Sequence, residues 1–361
     1  MNPSARGPQK SDTEPELEAA LRKEVALATG RSRNHAAVLK LKGDASNRSY
    51  YRVGTYPDSN VVMVMPREGA GRSEEASKGE LPKELPFINV HRYLQQLDAR
   101  VPEIFRYDES AGLMVLEDLG DVTFERALQT EKRELLYGRA VDLLARLRVQ
   151  AERHPEPRCL AFSRAFDAEL YLWELHHFRE WGMEAWSGTT PDAHERLELD
   201  ELFHNLSQQL AAQPRGFTHR DYQSRNLMVK DGELVVIDFQ DALQGPRQYD
   251  LVALLRDSYV ELDYPFVEQM LERYVDTFER DARVTLDRKA FKAFFDLLTI
   301  QRKLKDAARF EFIHRVKGNS GFLVSIPASL RYVKTAFARC KDVPELVRLR
   351  AIAARYVPAL Q

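Results

Sequence analysis

The segment Phe217–Ala242, FTHRDYQSRNLMVKDGELVVIDFQDA, holds His219, Asp221, Asn226 and Asp238 at a spacing that lets them act together. The apolar runs Leu227–Val229 and Leu234–Ile237, separated by KDGE, predict a two-stranded hairpin turning at Asp231-Gly232. Asp221 and Asn226 stand on the loop leading in, and the hairpin folds Asp238 back beside Asn226, so three oxygen-bearing side chains converge. A divalent cation such as Mg2+ takes hard oxygen ligands, often one or two protein groups with substrate phosphates, which suits Asn226 and Asp238. Asp221 is then left as candidate base. Phosphoryl transfer asks the protein for little covalent chemistry; a base that orients a hydroxyl and a metal that neutralises phosphate charge are the expected minimum.

These groups need a frame, and the sequence predicts one in two parts. After a polar tail, residues 1–12, expected to be disordered, Thr13 and Pro15 open a helix with Leu17, Leu21 and Val25 on one face and Gly30 as its stop. Strand-like runs follow at 37–42, 49–53, 61–65 and 113–117, interrupted by one helix around Phe87 to Leu97. The charged, glycine-containing stretch at 67–85 reads as a mobile surface loop. Beyond EDLGD at 117–121 the pattern turns helical, at about 131–151, 163–181, 192–212, 264–280, 287–313 and 342–355, with strand signals only around the opening motif. The expectation is an α+β bilobal protein: a small β-rich N-lobe over 13–117 and a larger, mostly helical C-lobe over 118–361, with the site in a cleft between them.

The pattern H-x-D-x-x-x-x-N, a strand and then IDF resembles the catalytic loop and metal motif of the protein-kinase-like superfamily, and HRDYQSRN with IDFQDA resembles its aminoglycoside phosphotransferase branch. Within that branch, LKGDASNRSYYRV, PFINVHRYL, LMVLEDLGDVTFERAL, FREW and QRKLKDAARF are similar to bacterial anomeric kinases of N-acetylmuramate and N-acetylglucosamine, over residues 39 to 333 with gaps. The resemblance implies ATP and Mg2+ as cofactors, Asp221 as catalytic base, His219 as loop support, and Asn226 and Asp238 as metal ligands. Asp250, in YDLVALLRD, is expected to cap the helix that follows and to brace the loop, and Asp241 has either a structural or a metal-proximal place. The resemblance puts ATP against the turn with Gly43, Ser46, Asn47 and Arg48, and against the backbone from Glu117 to Leu119. The third-strand lysine usual in kinases is missing, with Met63 and Met65 in VVMVM instead, and Lys42 or Arg48 is the candidate replacement. The sugar kinases share this departure.

The acceptor implied is an amino sugar phosphorylated at its anomeric hydroxyl. Residues 331–361 carry seven Lys/Arg against two acids, and QRKLK is basic too, which favours an anionic or neutral acceptor over a polycation; the competing reading leaves these cations on solvated helix faces. Arg225, Arg302, Lys305 and Trp181 are the candidate acceptor contacts, with Trp186 beside Trp181. Leu172, Leu175 and Phe178 read as core, and His176 and His177 point to different helix faces, against a two-histidine metal site.

A net charge of -2 excludes a global affinity for nucleic acid or anionic membrane, and no apolar run of membrane-spanning length or signal sequence occurs. Two distant cysteines, Cys159 and Cys340, suggest neither a disulfide framework nor a zinc site, and a monomeric cytoplasmic protein is expected. Two alternatives remain: a kinase of the same fold for another small alcohol, and a nucleotide-binding pseudokinase.

Overall fold

The computed structural model describes residues 14–41, 48–65 and 84–361, and divides into two compact units, Met1–Ser77 with Pro102–Asp121 and Lys78–Val101 with Val122–Gln361. Lys42, Gly43, Ser46, Asn47, the 1–12 tail and nearly all of the 67–85 stretch lie outside the described residues. The helix around Phe87, grouped with the N-lobe by its place in the sequence, belongs to the second unit, and the division falls after Asp121 rather than after Glu117.

In the first unit, the helix Glu14–Thr29 ends at Gly30, whose φ of 69° is the left-handed conformation that stops a helix cheaply. Five antiparallel strands follow: β1 Val38–Lys40, β2 Ser49–Thr55, β3 Asp58–Val64, β4 Ile104–Asp108 and β5 Leu113–Glu117, ordered β1-β2-β3-β5-β4. Leu21 and Val25 of the helix pack on Val53, Val62, Leu113 and Val115, the residues that strand alternation brings to one face. The opposite face carries Arg52 and Met63. β4 was not foreseen: IFRYD is short, follows a proline and joins the sheet edge through an irregular register.

In the second unit, the hairpin forms as expected from β7 Leu227–Lys230 and β8 Glu233–Val236, turning through Asp231 and Gly232 with φ of 51° and 79°. A second antiparallel pair, β6 Arg215–Thr218 with β9 Leu243–Pro246, brackets the motif. The sequence reading missed both, since RGFT and LQGP are four residues long and carry turn-type residues. The helices Arg133–Arg153, Ala193–Ala211, Tyr264–Ala282, Arg288–Lys317 and Pro344–Tyr356 fall where periodicity put them. The expected helix over 163–181 is an α-helix, Ala168–His177, running into a π-helical turn, Phe178–Glu184, and a further helix, Ile326–Arg339, was not expected. Its apolar spacing at Ile326, Leu330, Val333 and Phe337 was a usable signal. Among the described residues no helix is long and apolar enough to cross a membrane.

Candidate active site

The loop from His219 to Asn226 is fastened by its backbone before its side chains matter. His219 N and Arg220 N donate to the two oxygens of Asp250 at 2.7 and 2.9 Å, which fixes Arg220 at a φ of 81°, a conformation a non-glycine residue holds only when its surroundings impose it. Asp250 lies inside the first turn of the helix Tyr249–Leu255, whose N-cap, Gln248, makes no side-chain capping bond. The capping role expected of Asp250 is therefore not the one its carboxylate plays; both oxygens go to the loop. Further along, Ser224 N donates to Asp257 at 2.8 Å and the Tyr222 hydroxyl to Ala140 O at 3.0 Å. His219 is buried, and burial lowers its pKa, so the imidazole is neutral. With Nε2 donating to Ile237 O at 3.0 Å and Nδ1 accepting from Asp221 N at 3.3 Å, it joins loop to hairpin and touches no open space.

The convergence read from spacing is present. Asn226 Nδ2 donates to Asp221 O at 2.9 Å and faces Asp238 Oδ2 at 3.4 Å; Ile237 N closes the hairpin on Asn226 O at 3.1 Å. Asp238 is exposed, with a φ of 61°, and Gln240 Nε2 bridges its Oδ1 and Asp241 Oδ2 at 2.9 and 3.2 Å. The next residue, Phe239, is buried against Phe87 with ring centroids 4.8 Å apart, so the helix Pro86–Gln96 backs the turn that presents Asp238. The donor set fits a magnesium ion: Asn226 uses its nitrogen internally, and its oxygen and the carboxylate of the exposed Asp238 are both hard ligands of the kind that ion takes.

Asp221 is half-buried, and Arg302 approaches its Oδ1 at 3.4 Å while donating to Arg220 O at 2.8 Å. Burial alone would raise the Asp221 pKa; the cations Arg302, Arg220 and Lys305 outweigh it, and the carboxyl is held below the usual carboxylate range. An ionised carboxylate with one open side can orient a hydroxyl and accept its proton.

Of the other residues singled out by sequence, Arg302 reaches this cluster directly, and Lys305 pairs with Asp306 at 3.2 Å one turn further along the same helix. Arg225 is taken up by Glu125 at 2.9 Å and stacks on the Tyr259 ring at 3.6 Å, which ties down the loop. Trp181 sits on the π-helical turn against His177 and Phe312, and Trp186 is partly exposed. Leu175 and Phe178 are core as expected, whereas Leu172 is only half-buried. In the first unit Glu117 ends β5, Leu119 is buried, and Arg48 immediately precedes β2. Met63 is fully buried. Arg52, on the same face, donates to Asp118 at 2.6 and 2.9 Å and to Asp121 at 3.0 and 3.2 Å, so its guanidinium is committed to the segment after β5. Sequence reasoning missed Asp257, Glu174 and Gln301; the first closes the YDLVALLRD run, read for Asp250 alone, and the other two lie in runs read as core or as a basic face.

A five-stranded antiparallel sheet followed by a mostly helical region, with this loop and hairpin, is the protein-kinase-like fold of choline kinases and aminoglycoside phosphotransferases. It superposes on choline kinase LicA from Streptococcus pneumoniae with a TM-score of 0.60 at 15% identity, covering 90% of this chain and 99% of that one. On a GDP complex of aminoglycoside 2'-phosphotransferase-IIIa the TM-score is 0.58 at 13% identity, with 90% and 97% covered. The chain belongs to the phosphotransferase enzyme family, whose model matches residues 37–284. It is similar to the N-acetylmuramate/N-acetylglucosamine kinase of Neisseria meningitidis serogroup B, 30% identical over 313 residues, with 85% of this chain and 87% of that protein covered. The kinase of the same name from Pseudomonas aeruginosa is 30% identical over 321 residues, with 88% of each chain covered.

Proposed function

We propose that the protein transfers the γ-phosphoryl group of ATP to the anomeric hydroxyl of N-acetylmuramate, N-acetylglucosamine or both, giving ADP and the sugar 1-phosphate, in the cytoplasmic salvage of cell-wall sugars. The observation that carries this reading is the meeting of Asn226 with the Asp221 backbone and the Asp238 carboxylate, beside an ionised Asp221 with an open side. The relatives named as kinases of these two sugars, matched along most of their length, support this choice of acceptor.

Asp221 orients the acceptor hydroxyl and takes its proton as the oxygen–phosphorus bond forms and the bond to the β-phosphate oxygen breaks. An anomeric hydroxyl is more acidic than an ordinary alcohol, so a carboxylate suffices as late proton acceptor. His219 and Asp250 hold the loop. Asn226 and Asp238 would hold Mg2+, which when bound neutralises phosphate charge. On the family resemblance, Glu117 to Leu119 offer backbone groups to adenine and Arg48 a cation to the phosphates. Arg302 and Lys305 attract an anionic acceptor.

Phosphorus NMR of the purified protein with ATP, magnesium and each sugar in parallel tests the reaction and its regiochemistry together. An anomeric phosphate resonance that appears only with sugar is expected. ATP binding without transfer to either sugar rules the reading out.

A further inference from the structure

The second unit carries a patch of buried polar groups next to Arg302 that the loop geometry does not use. Glu174, on the helix Ala168–His177, is fully buried; its Oε2 accepts from Gln301 Nε2 at 2.6 Å, while its Oε1 has no hydrogen-bond partner among the described residues. The same holds for Gln301 Oε1, the Tyr171 and Tyr249 hydroxyls and Arg302 Nε. The patch is continuous. The Arg302 guanidinium that faces Asp221 lies over the Tyr249 ring, 4.6 Å from its centroid, and Phe166 stacks on Tyr249 and on Tyr171 with centroids 4.0 and 5.2 Å apart. Tyr171 stands about one turn before Glu174, and Gln301 precedes Arg302 in the chain.

Buried polar atoms are nearly always paired, because an unpaired one forfeits its bonds to water with no return. Five such atoms in a patch that Arg302 joins to the candidate base are what a site completed by a polar ligand leaves behind. Resting on the phosphotransfer reading above, we propose that this patch recognises the acceptor. N–H and O–H groups of the acceptor complete Glu174 Oε1 and Gln301 Oε1, acceptor oxygens take the Tyr171 and Tyr249 hydroxyls, and Glu174 is the residue that discriminates. Burial raises the Glu174 pKa against the pull of Lys305 and Arg302, and those two cations repel a further positive charge, so the patch suits a neutral or anionic amide-bearing sugar and disfavours a polycation. The orphan oxygens are sealed from solvent. Lys305 stands one turn beyond Gln301 and Arg302 on the same helix, and in the proposed recognition its flexible four-carbon stem swings from Asp306 to admit the acceptor.

Two variants separate this from a structural role. Tyr171→Phe removes only a hydroxyl without a partner, so a structural role predicts unchanged or higher thermal stability and unchanged kinetics. The proposal predicts the same stability effect together with an acceptor KM raised severalfold. Glu174→Gln is expected to raise the acceptor KM about tenfold or more, with the ATP KM within about twofold. Acceptor KM values equal to wild type in both variants overturn the proposal. If the wild type phosphorylates neither amino sugar, the reading of the reaction fails, and the variants are then compared on choline, ethanolamine and kanamycin. A raised KM on whichever of these is phosphorylated keeps the recognition patch with another acceptor class; an unchanged KM, or no phosphorylated acceptor at all, overturns it as well.

Discussion

Asp221 owes its charge to its neighbours. Burial pushes its pKa up and Arg302, Arg220 and Lys305 pull it down, with the cations prevailing. Replacing Arg302 with Gln removes the first of those cations, so the Asp221 pKa rises, the base is protonated at a higher pH, and the acid limb of the kcat/KM profile moves upward; an unmoved limb would separate Asp221 from that titration. Asp221→Ala is expected to lower kcat by about a hundredfold or more while ATP affinity, read by calorimetry, stays near wild type. Asp238→Ala should in addition lose the magnesium-dependent part of nucleotide binding. The sequence carried this site well, because the loop spacing and a two-residue turn leave few ways to arrange Asp221, Asn226 and Asp238. It did not carry Glu174 or Gln301. Nothing in a helical run distinguishes a buried carboxylate awaiting a ligand from the apolar side chains around it.

At the scale of elements, the segment after β5 is held from the sheet by Arg52 and Ser59. Arg52 pairs with Asp118, and both are nearly inaccessible, while Ser59 adds a 2.6 Å bond to the same carboxylate. Although burial opposes it, the bonds from Arg52 and Ser59 hold Asp118 below the usual carboxylate range. Its contribution to stability is thus complete above that range and is lost as pH falls through the depressed folded value. Asp118→Asn leaves a buried guanidinium short of a partner and should cost about 3 kcal/mol in urea unfolding; a loss under about 0.5 kcal/mol, the scale of an ordinary surface substitution, would show that the pair matters little. The pairing of Arg52 with Asp118 lies across the sheet and has no sequence signature. The same limit hid β4, β6 and β9: without a run of apolar residues such as β5, β7 and β8 carry, a strand of four or five residues is identified only by the neighbour it bonds to, and RGFT and LQGP announce none. Long helices, whose period repeats over several turns, were legible.

Across the whole molecule, a formal charge of -2 spread over 361 residues gives little long-range steering. Under the proposed function, kcat/KM for uncharged N-acetylglucosamine should change little as salt rises. That for N-acetylmuramate should fall as screening weakens the attraction of Arg302 and Lys305 for its carboxylate. A parallel fall for both sugars would place the salt effect on the nucleotide. Asp250 and Asp257, at either end of the short helix Tyr249–Leu255, have a further consequence. Asp250 accepts from His219 N and Arg220 N, and Asp257 from Ser224 N and Tyr259 N. The His219, Arg220 and Ser224 amides are therefore bound to carboxylates of the core rather than to other loop residues, and deuterium enters them only when that helix comes away. These three, in a stretch that looks like surface loop in the sequence, should exchange as slowly as the interior of a helix.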